Sequence, residues 1–387
     1  MSEAGRSFGE DFSFRIVDNL NGFERLKFDW NNLAEKSRSY LPWLSWEWFD
    51  LCIKHFFAKD KFVILLLYQE GRIVGIAPFI VRREVFKGVF SIRKVELMGN
   101  HYSPIRKFIG SDQVTDPIML NSLEYFCNRY KDWDILEFDS LPEESDIFKA
   151  VENRVWNYAL RNRAYFCFGN WYLDGINYKF DEYFGNLPKR ITKDIQYCKR
   201  SLQKKGNLRF EMIKDIRSAD HYLKVYDQLR EKSWKAPEKD AKFHREFEKL
   251  AADQGWLRLG FLFHDDNPIA AQKWIVCNKI AYILAVLYHE GYNKFSPGKI
   301  LTSEIARKII DEDKVVEIDF MRGDDAYKRD WTPKRRERKG ISLFNYTAKG
   351  QLLAFLITKA LPAIERNRYT HLAKIRLGEY LKRSRQE

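Results

Sequence analysis

Cysteine is sparse and shows no pairing. The five cysteines, Cys52, Cys127, Cys167, Cys198 and Cys277, are odd in number and scattered along the chain. That pattern excludes a disulfide framework and a cysteine-built zinc site, and it fits a reducing cytoplasm. The seven histidines form no metalloprotease-like pattern, so no metal is expected. Long apolar runs are also missing. Runs such as 62–68 and 352–361 fall well short of the ~20 residues a spanning helix needs. Residues 1–14 are acidic and polar and lack the apolar core of a signal peptide. The expectation is a chain that is not secreted by the usual route, crosses no membrane, and works in the cytoplasm or at the inner face of the membrane.

A length of 387 residues is too great for one ordinary core and suits two domains. Hydrophobic residues at 45% and charged residues at 31% mark a globular chain rather than a disordered one. The net charge of +13 favours polyanions: nucleic acid, an anionic membrane face or a phosphate-bearing cofactor. A basic surface kept for solubility gives the same number.

In the first half a helical pattern at 23–37 precedes an aromatic segment, 41–57, with Trp43, Trp46, Trp48 and Phe49. Segments 62–68 and 73–81 flank Glu70-Gly71 and predict a β-hairpin. A strand at 95–98, a loop at 99–104, a helix at 122–130 and a strand at 135–138 follow. The second half repeats the grammar: helices at 221–234 and 241–253, strands at 257–263, 269–277 and 280–287, a helix at 298–310 and a strand at 315–320. Segments 62–82 and 257–274 match in order and character, as do 135–140 and 316–321, which points to a duplication. Between the halves, 187–210 carries eight Lys and Arg against the single acid Asp194. It predicts a linker helix, either solvated or presenting a basic face to phosphates or anionic lipid. After a strand near 341, the remainder to 387 predicts a basic helical tail that either packs on the protein or touches a membrane.

Two stretches carry the candidate chemistry. At Lys294, Ser296, Pro297, Gly298 and Lys299 a strand delivers the chain into a loop and a helix begins. Free N–H groups at a helix start form an anion site, and a glycine there lets a phosphate approach the backbone. An ordinary helix start with Pro in its first turn reads the same way. The second stretch, 317–331, ends an apolar strand in a polar cluster around Gly323, where a general base or an acceptor-positioning group is sought. A loop closed by ion pairs has the same composition.

Together, Lys294–Leu301 and 318–331 resemble the C-terminal signature of the tandem-GNAT CelD/FemAB-like acyltransferases. Trp43–Trp48 and Gly75–Pro78 extend the resemblance over about residues 15–345. It implies an α/β (α+β) fold of two tandem GNAT-like domains, each a mixed, mostly antiparallel sheet flanked by helices. The implied boundaries are a flexible start at 1–14, a degenerate first domain at 15–186, the linker at 187–210, a donor-binding domain at 211–346 and a tail at 347–387. The donor would be acyl-CoA, held near Gly298 with Tyr288 on the neighbouring strand. Backbone N–H groups of 285–288 would hold the oxyanion. Candidate bases are Asp324, Asp319, His289 and His101, with Tyr327 as acid and Lys328 orienting a carboxylate or phosphate. The expected activity is N-acylation of an amine in a lipid or envelope-glycan precursor, in the manner of a bacterial ceramide synthase. An aminoacyl-tRNA-dependent FemAB-like transferase and a non-catalytic polyanion-binding module are the alternatives. The full Gln/Arg-x-x-Gly-x-Gly/Ala phosphate loop of ordinary GNAT enzymes is missing, and the first half's own loop, 100–105, lacks its glycine.

Overall fold

Apolar β-rich runs become adjacent strands, and the charged glycine turns between them become hairpins. The computed structural model describes residues 12–36, 40–110, 116–145, 148–149, 152 and 159–366. Thirteen strands form one sheet: β1 (Phe12–Val17), β2 (Lys61–Gln69), β3 (Arg72–Phe86), β4 (Phe90–Leu97), β5 (Ile109–Gly110), β6 (Ile135–Pro142), β7 (Ala159–Asp174), β8 (Leu208–Ile213), β9 (Leu257–His264), β10 (Asn267–Cys277), β11 (Ile280–Tyr288), β12 (Glu317–Arg322) and β13 (Arg335–Asn345). Their order is β1-β2-β3-β4-β6-β13-β7-β12-β11-β10-β9-β8, with β5 alongside β3.

That order contains the same motif twice. In the first half β2, β3 and β4 are antiparallel and β4 runs parallel to β6. In the second half β9, β10 and β11 are antiparallel and β11 runs parallel to β12. The last strand of each half is exchanged: β7 pairs with β12, while β13 inserts between β6 and β7. The exchange fuses two mixed sheets, flanked by helices, into one.

Helices cover the faces. Helix Trp46–Phe56 is capped by Ser45, whose side chain accepts from the backbone N–H of Trp48. It buries Trp48 and Phe49 and meets helix Ala241–Asp253 of the second half, with Trp48 edge-on to Phe243 and Phe247 at 5.5 and 5.0 Å. The halves thus share one hydrophobic core. Each fully buried large side chain in it is worth about 1.5–3 kcal/mol. Helix Lys189–Gln203, on the segment expected to link the halves, buries Ile191, Ile195, Cys198 and Leu202 in the second half's core and turns most of its cations outward.

The expected hairpin and the second-half strands and helices appear within a few residues of their expected bounds. Strands β1, β5, β7 and β8 are not among the expected ones, and the loop expected before helix 298–310 contains a 3₁₀ helix, Glu290–Phe295. Residues 12–14, expected in the flexible start, belong to β1. Residues 1–11 of that start, and the tail from 367, lie outside the described residues. Among the described residues no helix is long and apolar enough to cross a membrane.

Candidate active site

The site begins where two parallel strands separate. β11 and β12 share only three rungs: Ile280 with Glu317, Ala281 with Ile318, and Tyr282 with Asp319. β11 then continues to Tyr288, whereas β12 turns away through an irregularity between Asp319 and Arg322, with Met321 at φ +59°. Asp319 holds this turn. Its buried carboxylate accepts from the Met321 N–H at 2.6 Å, from Asn170 Nδ2 at 2.8 Å and from Arg336 Nη2 at 2.6 Å. The gap is a cleft of about 450 Å³. Ile283, Ala285 and Tyr288 form one wall, and Phe320, Met321 and Tyr327 form the other.

Helix Pro297–Asp311 points its first turn at this cleft. Ser296 caps the helix at φ +45°, and its carbonyl accepts from the N–H groups of Lys299 and Ile300. Gln272, buried on β10, donates to the Gly298 carbonyl at 2.8 Å and to Thr302 Oγ1 at 2.8 Å, fixing the helix start against the sheet. A Cβ at Gly298 would come within 3.3 Å of Tyr288 Cδ1, so glycine also permits close packing on β11. Lys299 Nζ donates to Asp194 at 2.8 Å, and Ser296 Oγ lies 3.4 Å from the same carboxylate. An anion at this helix start therefore meets a lysine already paired.

A second cavity, of about 520 Å³, adjoins the first and shares Trp234, Lys235, Leu284, Ala285, Met321 and Arg322 with it. Its apolar lining comes from both halves: Trp43 and Trp48 from the first, Phe243 and Phe247 from the second. Its polar lining is dense. The Lys273 ammonium and the Glu248 carboxylate form a buried ion pair, and Lys273 Nζ sits 3.8 Å over the Tyr226 ring. Arg230 Nη2 donates to Glu238 Oε1 at 2.8 Å, and His244 Nε2 lies 3.8 Å from that oxygen. Tyr102 donates to Asp240 at 2.9 Å, and His101 Nε2 is 3.5 Å from the same carboxylate, joining the halves.

Burial governs the charges here. It pulls His244 down to about 4 against the opposing effect of Glu238. It lowers His101 too, despite Asp240. It also lowers Lys235, with Arg230 adding to the effect, and raises Glu248, offset in part by Lys273.

The expected site residues separate into groups. Tyr288, Ser296, Gly298, Lys299, Tyr327 and Lys328 line the first cleft, and His101 lines the second cavity. Lys328, buried, donates to the carbonyls of Arg322 and Gly323, and burial pushes Tyr327 up to about 12. Pro297 is buried in the helix start, and Lys294 is exposed with its ammonium near the Phe295 ring. His289 caps the 3₁₀ helix by accepting from the Gly291 N–H. Asp324 pairs with Arg335 and accepts from Trp171 Nε1, and the Arg335 contact lowers its carboxyl. Neither His289 nor Asp324 lines either cavity. Sequence reasoning missed Glu238, His244, Glu248 and Lys273. The only hint was a lysine in the middle of the apolar run 269–277. Among the described residues no cluster of three or more His, Cys, Asp or Glu is arranged to hold a metal ion.

The first half's equivalent gap is filled. β4 and β6 also share only three rungs. There Arg106 crosses between them, donating to the Leu97 carbonyl at 3.2 Å and pairing with Asp139 at 3.0 Å, and β5 then joins β3.

Comparison with solved structures finds the same architecture. The crystal structure of FemX is 11% identical and superposes with a TM-score of 0.58, over 89% of this chain and 99% of that one. A tandem GNAT protein from the clavulanic acid biosynthesis pathway is 13% identical (TM-score 0.47; 85% and 98% covered). L-PGS from Bacillus licheniformis is 9% identical (TM-score 0.48; 81% and 96% covered). The likeness to FemX shows the fold. No curated protein matches the sequence. Residues 189–329, which contain the separated strands and the helix start between them, match the family described as acetyltransferase (GNAT) domain, and this match marks the chain as an acyltransferase.

Proposed function

We propose that the chain is an acyl-CoA-dependent N-acyltransferase, with the thioester in the cleft between β11 and β12 and an amine acceptor in the aromatic cavity beside it. The observation that carries this reading is the shared wall: Ala285 and Met321 belong to both cavities, so a carbonyl carbon placed there is reached from both sides. The backbone of β11 beyond Tyr282 has no β12 partner on that edge, which leaves amide groups for an oxyanion. The start of helix Pro297–Asp311, with Ser296, Gly298 and Lys299, is the proposed phosphate end.

In the reaction the amine nitrogen bonds to the carbonyl carbon and the C–S bond breaks. The surplus amine proton passes to an imidazole or to the departing thiolate. His101 and His244 are the imidazoles in the acceptor cavity; burial lowers His244 to about 4, which keeps it uncharged at neutral pH but makes it the weaker proton acceptor, so His101 is the better placed of the two. Alignment of the two reactants in a closed cleft supplies on the order of 7 kcal/mol or more. Trp43, Trp48, Phe243 and Phe247 suit an apolar acceptor, which favours the amine of a lipid over that of a sugar.

A thermal-shift series with free coenzyme A, acetyl-CoA, octanoyl-CoA and palmitoyl-CoA, with detergent controls, tests the reading. Stabilisation that grows with chain length supports a lipid N-acyltransferase. Equal shifts support phosphate recognition and a short acyl group. Absence of any shift removes acyl-CoA as donor and makes charged tRNA the next candidate.

A further inference from the structure

The β3–β4 hairpin outgrows the sheet. β3 last pairs with β2 at Val81, and β4 first pairs with β6 at Lys94. Residues 82–93 therefore extend as a two-stranded ribbon, roughly 17 Å beyond its neighbours at the usual rise per residue. An isolated ribbon normally carries polar residues at its tip, yet this one holds Val85, Phe86, Val89 and Phe90. Val85 is 66% exposed and Val89 76%.

Beside it lies a helix that exposes large apolar side chains along with Gln351 and Lys359. Helix Ala348–Phe355 starts at Thr347, whose side chain accepts from the Gly350 N–H. A π-helical turn, Leu356–Ala360, then leads into helix Leu361–Arg366. Its inner side, Leu353 and Ala354, packs with Ile92, Ile135 and Phe344, and Phe86, Phe90 and Ile357 complete the cluster. Its outer side presents Leu352 and Phe355, about half exposed. Large apolar side chains exposed side by side on an outer face suit a partner surface. Here hairpin tip and helix, joined through one small core, expose apolar side chains together.

Charge decides what covers them. Arg83 and Lys87 are exposed on the hairpin and Lys359 on the helix. The chain from residue 367 on carries Arg368, Lys374, Arg376, Lys382, Arg383 and Arg385 against Glu379 and Glu387. A second copy of the chain, or the chain's own basic end, would bring cations against cations. An anionic surface with an apolar interior meets both features at once. We infer that the hairpin tip and the helical segment 348–366 form a docking surface for an anionic lipid bilayer, with Val85, Val89, Leu352 and Phe355 entering the headgroup boundary. Strand directions put the open ends of β11 and β12 at the same edge of the twisted sheet as this hairpin and helix. For its purpose the inference rests on a lipid acceptor, but its test needs neither donor nor acceptor.

The full chain is sedimented with phosphatidylcholine vesicles and with vesicles of phosphatidylcholine and phosphatidylglycerol, at low and high salt. The surface predicts binding to the mixed vesicles that weakens as salt rises, and little binding to phosphatidylcholine alone. The double variant Val89→Asp/Phe355→Asp should lose roughly tenfold or more of that binding while unfolding at the wild-type temperature, because both side chains are exposed. Binding of the variant equal to wild type overturns the inference, as does failure of the wild type to bind anionic vesicles. So does a wild-type dimer that the variant dissolves. A thioester-induced thermal shift without vesicle binding would leave the catalytic reading standing and remove this one.

Discussion

The carboxylate of Asp319 accepts a hydrogen bond from the backbone N–H of Met321, two residues further along the same strand, at 2.6 Å. That contact, with Met321 in the left-handed region, bends β12 from β11 and creates one wall of the cleft. Asp319→Asn keeps the shape but removes the charge that Arg336 pairs with. Breaking a buried pair of this kind costs about 3 kcal/mol, partly relieved by Glu317, which also accepts from Arg336. Urea unfolding should show that loss, and a thioester titration should show weaker binding at a temperature where the variant remains folded.

Lys273 and Glu248 provide a sharper contrast, because both side chains are almost fully buried. Glu248→Gln leaves an ammonium in the core with Glu238 as its nearest acid, at 3.9 Å. The expected cost is about 3–5 kcal/mol, whereas Lys273→Met/Glu248→Leu should regain most of it. Equilibrium unfolding of Lys273→Met, of Glu248→Leu and of their double variant gives the coupling directly.

The pH dependence of stability follows from His244. Its folded value, about 4, lies below that of a free imidazole. Folding therefore opposes its protonation. The contribution is intact above about pH 6.5 and is lost as the pH falls towards 4, by up to about 3 kcal/mol. His101 shifts in the same direction. Denaturation of wild type and His244→Gln at pH 7.5, 5.5 and 4.5 should show the variant losing less between the first and last points. Parallel curves would contradict the assignment.

Asp194 competes for the lysine that the proposed phosphate site needs. Its carboxylate holds Lys299 at 2.8 Å, and Lys299 together with the Cys198 and Ser296 contacts lowers its pKa overall, against burial, the largest single effect, which raises it. Removing a partly exposed pair of this kind is worth about 1 kcal/mol or less. Asp194→Asn should therefore tighten coenzyme A binding by about twofold to fivefold, measured by calorimetry. Weaker binding would mean that Asp194 positions Lys299 for the ligand rather than withholding it.

Much of the second half was legible because its signals are local. The runs 257–263, 269–277 and 280–287 are apolar over strand lengths, and Ser296-Pro297-Gly298 marks a helix start without tertiary help. The exchanged strands were not legible in the same way. β7 reads Arg161-Asn162-Arg163 through its first turns of sequence, and its partners in β13 lie some 170 residues away. The acceptor cavity was hidden for a related reason. Glu238, His244 and Lys273 are unremarkable where they stand in the chain and become a cluster only when a helix, a loop and a strand converge. Asp319 shows the limit of strand-end reasoning: a carboxylate at that place suits a base, and its contacts are those of a brace.

The most direct measurement is a crystal structure of the full chain with a non-hydrolysable thioether analogue of acyl-CoA. The pantetheine arm is expected between β11 and β12, the pyrophosphate at Ser296–Lys299, and the carbonyl between Ala285 and Met321, facing the cavity of Trp43 and His244. Density for the analogue outside this cleft, or in the first half beside Arg106, would contradict that placement.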